Sequence, residues 1–154
     1  MSVLENLKPL VTQICQNKQL SKDEKLQQIC DLLRDKVSYY NWVGFYFANH
    51  KTQTLHLGPF SGADTDHKVI PFGKGICGQV ALSNQNFVVP DVKAQDNYIA
   101  CSLTVKSEIV VPLFVNNVNI GQIDIDSHTI DPFTAQDESF LEFVNKQIAE
   151  NISF

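Results

Sequence analysis

The segment Ser107–Ser127 (SEIVVPLFVNNVNIGQIDIDS) decides the fold of this 154-residue chain. It holds two runs rich in Val and Ile, separated by the turn-forming pair Asn116-Asn117. Apolar, β-branched runs on either side of such a pair are typical of a β-hairpin. We therefore predict strands at 107–115 and 118–127, paired antiparallel.

Helix signals flank the strands at both ends of the chain. Ser21 with Glu24, and Thr134 with Asp137, have the spacing of N-terminal capping boxes. Pro9 is expected to kink or delay the first helix. The other expected elements are a first helix capped by Ser2, strands at 40–47, 52–57, 68–70 and 87–89, a loop at 59–66, and a helix at 76–82.

This element order predicts an α+β domain with a central antiparallel sheet and with N- and C-terminal helices packed mainly on one face. We expect one domain over 1–154, with a helical segment at 1–38 and the sheet core at 39–154. The connection at 90–107 is long for a compact domain, and such loops are usually functional. Its length predicts a lid over a substrate site.

Charge and hydropathy narrow the possible partners. Twelve Lys and Arg residues against seventeen Asp and Glu residues give a net charge of −5, without the basic stripe of a nucleic-acid binder. No apolar run is long enough to cross a membrane. The N-terminus, MSVLENLK, has neither a basic start nor an apolar stretch. We therefore expect a cytoplasmic protein that binds neither nucleic acid nor membrane.

The four cysteines fall into two groups. Cys15 and Cys30 lie on the apolar stripes of the first two helices and are predicted to be inert core thiols. Cys77 follows Gly73-Lys74-Gly75 at a helix start, where the helix dipole and Lys74 would lower its pKa; it could equally be a small packing residue. Cys101 lies in the long polar connection, where no core stripe demands a thiol; this position favours a reactive thiol over a packing role.

Three acidic residues form a second signal. Asp124 and Asp126 lie two apart on a predicted strand, so both point to one face, together with Val118 and Ile120, which look core-directed. Glu108 begins the neighbouring strand and could reach the same place. The acids either lie in water at a strand end or form a pocket for an amine or a metal. The histidines show no ligand spacing with the cysteines, so no metal site is expected.

Trp42 and Tyr46 are four residues apart on a predicted strand and share a face. Such aromatic residues are either part of the core or the wall of a small-molecule pocket.

Seven segments, in order over about residues 39–140, resemble a known family. They are Asn41–Tyr46, Leu57–Phe60, Ile70–Gly78, Val89–Val92, Ile99–Cys101, Ser107–Leu113 and Ile120–Ser127. Together they resemble the free methionine-(R)-sulfoxide reductases, which are stand-alone GAF domains. The resemblance implies a GAF-like fold, reduction of free L-methionine (R)-sulfoxide, no bound cofactor, a thioredoxin-like external dithiol and a homodimer.

The resemblance also implies roles for individual residues. Cys101 occupies the position of the attacking cysteine, which becomes a sulfenic acid, and Cys77 is the candidate resolving thiol for an intramolecular disulfide. The remaining roles concern the substrate. Glu108, Asp124 and Asp126 would bind its ammonium group and supply the protons that the reaction requires. Trp42 and Tyr46 would line the pocket for its methylthio end.

One departure from the family pattern leaves an alternative open. The family carries a further cysteine upstream of Gly73, and His67 stands at about that place here. Which of Cys77 and Cys101 attacks and which resolves is therefore left open. The alternative function is a non-catalytic GAF module that binds a small amino-acid-like ligand as a sensor.

Overall fold

The computed structural model describes residues 2–95 and 104–154. Within these ranges the helices are α1 (Val3–Gln16), α2 (Lys22–Lys36), α3 (Gly75–Ser83) and α4 (Ala135–Asn151), with a 3₁₀ turn at Val92–Ala94. The strands are β1 (Trp42–Asn49), β2 (Thr54–Ser61), β3 (Val69–Pro71), β4 (Phe87–Val89), β5 (Ser107–Val115) and β6 (Val118–Ser127). None of the helices in the described ranges is long and apolar enough to cross a bilayer.

The strands form one antiparallel sheet in the order β3-β2-β1-β6-β5-β4. The predicted β5–β6 hairpin is confirmed, and its turn residues Asn116 and Asn117 have φ values of 52° and 65°. Two consecutive left-handed residues match the twist of the flanking strands, and asparagine tolerates that conformation. The α+β prediction is therefore confirmed.

The two faces of the sheet are covered differently. Helices α1, α2 and α4 pack on one face, over alternate apolar residues such as Val43, Ile109, Ile123 and Ile125. Helix α3 covers the other face. The prediction that the terminal helices share one face is confirmed.

Cys15 and Cys30 belong to the core beneath these helices, and both are fully buried. Burial raises the pKa of the Cys15 thiol to about 11 and that of Cys30 well above its usual value. The predicted core position of both cysteines is confirmed. Their raised pKa values agree with the expected inert role, because a thiol that stays protonated is a poor nucleophile.

Several element boundaries differ from the sequence prediction, and two of these differences involve prolines. Helix α1 begins at Val3 and continues through Pro9, which lies on its exposed side, where water can reach the carbonyl that a proline cannot bond. Strand β2 extends to Ser61, so residues 59–61 are strand and not loop. A register shift opposite Gly44 and Tyr46 places an extra residue on β2, and such a bulge tolerates Pro59.

The prediction that Val118 and Ile120 point with the acids toward a core is also wrong. Val118 is 52% exposed, and Ile120 packs against the core on the helical face. The register between β5 and β6 shifts at Leu113/Phe114, where two residues of β6 span one step of β5. This bulge reverses the alternation of β6 before Gln122.

Asp137 ties the start of α4 to the start of β1. Its Oδ1 accepts hydrogen bonds from the hydroxyls of Tyr39 and Tyr40 at 2.8 and 2.7 Å. Its Oδ2 accepts from the backbone N–H and the hydroxyl of Thr134. The predicted capping box of Thr134 and Asp137 is thus confirmed. Asp137 itself is only 1% exposed.

Replacing Asp137 with alanine should lower the free energy of unfolding by about 2–4 kcal/mol, because a buried acceptor of four hydrogen bonds is removed. Urea denaturation followed by circular dichroism measures this loss. The matched control is Glu24→Ala, which removes the acid of the exposed capping box of α2. The control should lose less stability because water can replace the lost bonds; equal losses in both variants would contradict this account.

Candidate active site

Strand register brings the three predicted acids together. Glu108 on β5 is opposite Asp126 on β6, and Asp126 is opposite Trp42 on β1. Asp124 lies one pair further along the same face. All three acids lie beneath α3 and the loops around it, and are 2–5% exposed. The alternative that they lie in water at a strand end is therefore wrong.

Burial leaves the two aspartates short of hydrogen-bond partners among the described residues. Side-chain hydrogen bonds join Glu108 to Asp124 and to Asp126. Among the described residues, Oδ1 of Asp124 and Oδ1 of Asp126 have no hydrogen-bond partner, and neither aspartate is in a salt bridge. Loss of solvation raises the pKa of Asp124, and burial together with the nearby Asp124 raises that of Asp126 well above its usual range.

Cys77 is held over these acids by the tight start of α3. Gly78 packs so closely that a Cβ built there would lie 2.6 Å from the carbonyl oxygen of Pro71. Gln122 donates from Nε2 to the carbonyl oxygen of Cys77 at 3.1 Å. The Cys77 thiol in turn donates to Oε2 of Glu108 at 3.8 Å. The first turn of α3 is thereby fixed above the acidic face of the sheet.

The electrostatic setting of Cys77 is the reverse of the one predicted. Burial raises the pKa of the Cys77 thiol well above its usual value, and the negative charges of Asp124 and Glu108 raise it further. Lys74 is exposed. The prediction that Lys74 and the helix dipole lower this pKa is therefore wrong, because desolvation and adjacent acids outweigh one helix terminus.

The aromatic pair forms one side of the same region. Trp42 and Tyr46 have ring centroids 6.5 Å apart and are 8% and 1% exposed. Trp42 donates from Nε1 to the carbonyl of Ala63, and the Tyr46 hydroxyl donates to the carbonyl of His67. Both residues belong to the core beneath α3, as the first alternative predicts, and Tyr46 also lines the cleft.

A narrow cleft opens beside Cys77. The described residues that line it are Tyr46, His67, Ile70, Lys74, Gly75, Ile76, Cys77, Glu108 and Asp124. His67, which stands near the place of the additional family cysteine, thus faces the same cleft. Cys101 belongs to residues 96–103, which lie outside the described residues, as do its pairing with Cys77 and the middle part of the predicted lid at 90–107.

Gln122 is a site residue that the sequence reasoning missed. It is fully buried on the same face as Asp124 and Asp126, and its Oε1 has no hydrogen-bond partner within the described ranges. The alternation of Gln122, Asp124 and Asp126 along β6 is the signal that would have found it.

A larger groove of about 650 Å³ lies elsewhere, between α4 and the edge of β5. Its described lining includes Asn145, Lys146 and Glu150, but none of the thiols. The thiol and the clustered acids make the smaller cleft the better candidate active site.

Comparison with known proteins identifies the family of the domain. The family profile of the GAF domain matches residues 19–153. The free methionine-R-sulfoxide reductase of Escherichia coli is 41% identical over 117 residues, which cover 76% of this chain and 69% of the relative. The reductase of the same name from Saccharomyces cerevisiae is 41% identical over 116 residues, which cover 74% and 64%.

A solved structure extends the match to nearly the whole chain. The free methionine-R-sulfoxide reductase of Neisseria meningitidis, in complex with its substrate, superposes with a TM-score of 0.90 at 32% identity. The match covers 96% of this chain and 87% of that one. With the six-stranded antiparallel sheet and the four helices of the described residues, these similarities establish that the chain belongs to the free methionine-R-sulfoxide reductase family of GAF domains.

Proposed function

We propose that this protein reduces free L-methionine (R)-sulfoxide to L-methionine, with electrons from an external thiol. The observation that carries the proposal is the buried group of Glu108, Asp124 and Asp126 beside the Cys77 thiol, with two carboxylate oxygens lacking partners among the described residues. The similarity to named reductases over most of the chain supports the same activity.

The acids can bind the α-ammonium group, which a free amino acid carries and a peptide-bound methionine lacks. A free amino acid carries an α-ammonium group, and Oδ1 of Asp124 and Oδ1 of Asp126 are acceptors for its protons. Placing a cation between buried carboxylates offsets the cost of their desolvation. Selectivity for the free amino acid follows from this charge pairing.

The apolar part of the substrate is assigned to the aromatic pair. Trp42 is opposite Asp126 in the register, and Tyr46 lies on the same face and lines the cleft. A methylthio group is small and polarizable, and sulfur makes favourable contacts with aromatic rings. We therefore assign Trp42 and Tyr46 to the methylthio end of the substrate.

The proposed reaction forms a sulfenic acid and then a disulfide. The sulfur of Cys101 attacks the sulfoxide sulfur, the S–O bond breaks with the oxygen passing to Cys101, and methionine leaves with cysteine sulfenic acid remaining. The Cys77 thiol condenses with the sulfenic acid and releases water, which forms a Cys77–Cys101 disulfide. A thioredoxin-like dithiol then reduces the disulfide and is itself oxidised.

The environment of Cys77 supports the assignment of Cys101 as the attacking thiol. The nucleophile is the thiolate, and the raised pKa of Cys77 keeps that thiol protonated near neutral pH. Its hydrogen bond to Glu108 supplies an acceptor for the proton when the disulfide forms. We therefore assign Cys77 to resolution, in which Glu108 accepts the thiol proton as the S–S bond forms.

The remaining parts of the proposal have two sources. One domain over the whole chain and a cytoplasmic location come from the sequence pattern, and a homodimer without a bound cofactor comes from the family resemblance.

Cys101→Ser should abolish reduction of the R epimer, whereas Cys77→Ser should retain turnover with dithiothreitol and lose most of it with thioredoxin. A small thiol can reduce the sulfenic acid directly, but the dithiol protein requires the disulfide. The measurement is methionine release from the separated epimers. Full activity in Cys101→Ser would contradict the proposal, and calorimetric binding of the sulfoxide by the unmodified protein without turnover would favour the sensor module.

Glu108→Gln and Asp124→Asn should each raise KM for the free sulfoxide by roughly 10- to 100-fold, because a charge-assisted hydrogen bond to the ammonium is lost. The matched control is Asp35→Asn on α2, which neutralises an exposed acid distant from the cleft. Steady-state kinetics should show no change in that control. An unchanged KM in both cleft variants would remove the ammonium-binding role.

Asp126→Asn should raise Tm of the ligand-free protein by a few degrees at pH 7 and change it little near pH 3. The folded protein raises the pKa of Asp126 above its unfolded value of about 3.9. The stability contributed by this group is therefore present below about pH 4 and is lost as pH rises through the raised pKa. Asparagine cannot ionise and avoids that loss. Thermal melts from pH 3 to pH 8 measure the difference in Tm between the variant and the unmodified protein. This difference should grow as pH rises, and a difference that is constant with pH would contradict the prediction.

A further inference from the structure

We propose that the cleft is also a binding site for a thiophilic divalent cation of the Zn²⁺ class, held by Cys77, Glu108 and Asp124. One ligand atom from each residue, the thiol sulfur and two carboxylate oxygens, lies within 4.8 Å of the other two. All three side chains are buried, and they come from α3, β5 and β6. The tertiary fold assembles the group from separate elements.

The donor set matches the coordination chemistry of zinc. Zn²⁺ binds thiolate sulfur at about 2.3 Å and carboxylate oxygen at about 2.0–2.2 Å, usually with tetrahedral geometry. In such a site neighbouring ligand atoms lie roughly 3.5 Å apart, so the 3.8 Å between the Cys77 sulfur and Oε2 of Glu108 needs little adjustment. A thiolate ligand favours Zn²⁺ or Cd²⁺ over Mg²⁺ and Ca²⁺, which prefer sets made only of oxygen.

A second observation points to a cation at this place. Asp124 is 2% exposed, lines the cleft and has an Oδ1 atom with no hydrogen-bond partner within the described part of the chain. The neighbouring Asp126 is equally buried and also has an unpartnered Oδ1. Buried carboxylate oxygens without partners are costly, and a divalent ion satisfies them more completely than a single hydrogen bond.

Binding requires no redox step. The Cys77 thiol loses its proton to solvent and the resulting thiolate coordinates the metal, while the carboxylates coordinate through oxygen. Three protein ligands leave one position for water, as in open zinc sites.

The consequence for activity rests on the proposed function. A metal on Glu108 and Asp124 would occupy the carboxylates assigned to the substrate ammonium and would also hold the resolving thiol. Zn²⁺ should therefore inhibit competitively with free methionine sulfoxide. Binding itself does not depend on turnover and can be measured without substrate.

The direct test is titration of the reduced protein with Cd²⁺, followed by the ultraviolet thiolate-to-cadmium charge-transfer absorption, with Zn²⁺ calorimetry alongside. We expect one Cd²⁺ per chain. The absorption should disappear in Cys77→Ser, and Zn²⁺ affinity should fall at least about 10-fold in Asp124→Asn. Cys101→Ser is the matched control: it also removes one cysteine but should keep the absorption.

Several results would overturn the proposal. They are charge-transfer absorption that survives Cys77→Ser, absorption that is lost only in Cys101→Ser, or no absorption in the unmodified protein. If Cys77→Ser does not fold, the unmodified protein and Asp124→Asn decide the matter, because Zn²⁺ should raise Tm of the first more than that of the second. Metal binding without reductase activity would contradict the proposed function alone, and activity without metal binding would contradict this inference alone.

Discussion

The burial of three acidic side chains on one face of the sheet is the constraint on which the rest of the site depends. Glu108, Asp124 and Asp126 lie side by side on β5 and β6, with α3 above them. Desolvation opposes their charged forms, and their mutual repulsion adds to that cost. The face therefore favours either bound protons or a cation. Burial of the Cys77 thiol, together with the negative charges of Asp124 and Glu108, also raises the pKa of that thiol.

The acidic face also carries an apolar cluster beneath α3, which includes Trp42, Tyr46 and Val110. The larger apolar core lies on the opposite face, where α1, α2 and α4 cover β1, β5 and β6. The acids thus lie among apolar residues on one side of strands whose other side packs against the larger core. Asp137 shows how a buried acid is accommodated where it is structural, since hydroxyl and N–H donors meet both of its oxygens. Asp124 and Asp126 each keep an oxygen without such a donor among the described residues.

That contrast connects the two ligands proposed for the cleft. An ammonium group and a thiophilic metal ion would both neutralise the acidic face, but they require different protonation states of the Cys77 thiol. The ammonium leaves the thiol protonated and available to resolve a sulfenic acid, whereas the metal requires the thiolate and holds it. In both proposals the acids attract a cation, and the protonation state of the Cys77 thiol distinguishes the ammonium group from the metal ion.

The amino-acid sequence by itself determined the element order, the β5–β6 hairpin, the capping boxes and the pairing of Asp124 with Asp126 on one face, because these follow from local periodicity and turn chemistry. Its family motifs also indicated the activity. Only the tertiary structure decided that the acids are buried, that Cys77 has a raised pKa, that Gln122 joins the site, and that bulges extend β2 past Pro59 and turn Ile120 away. Desolvation and strand register depend on which surfaces pack together across the sheet, and local sequence patterns do not specify those contacts.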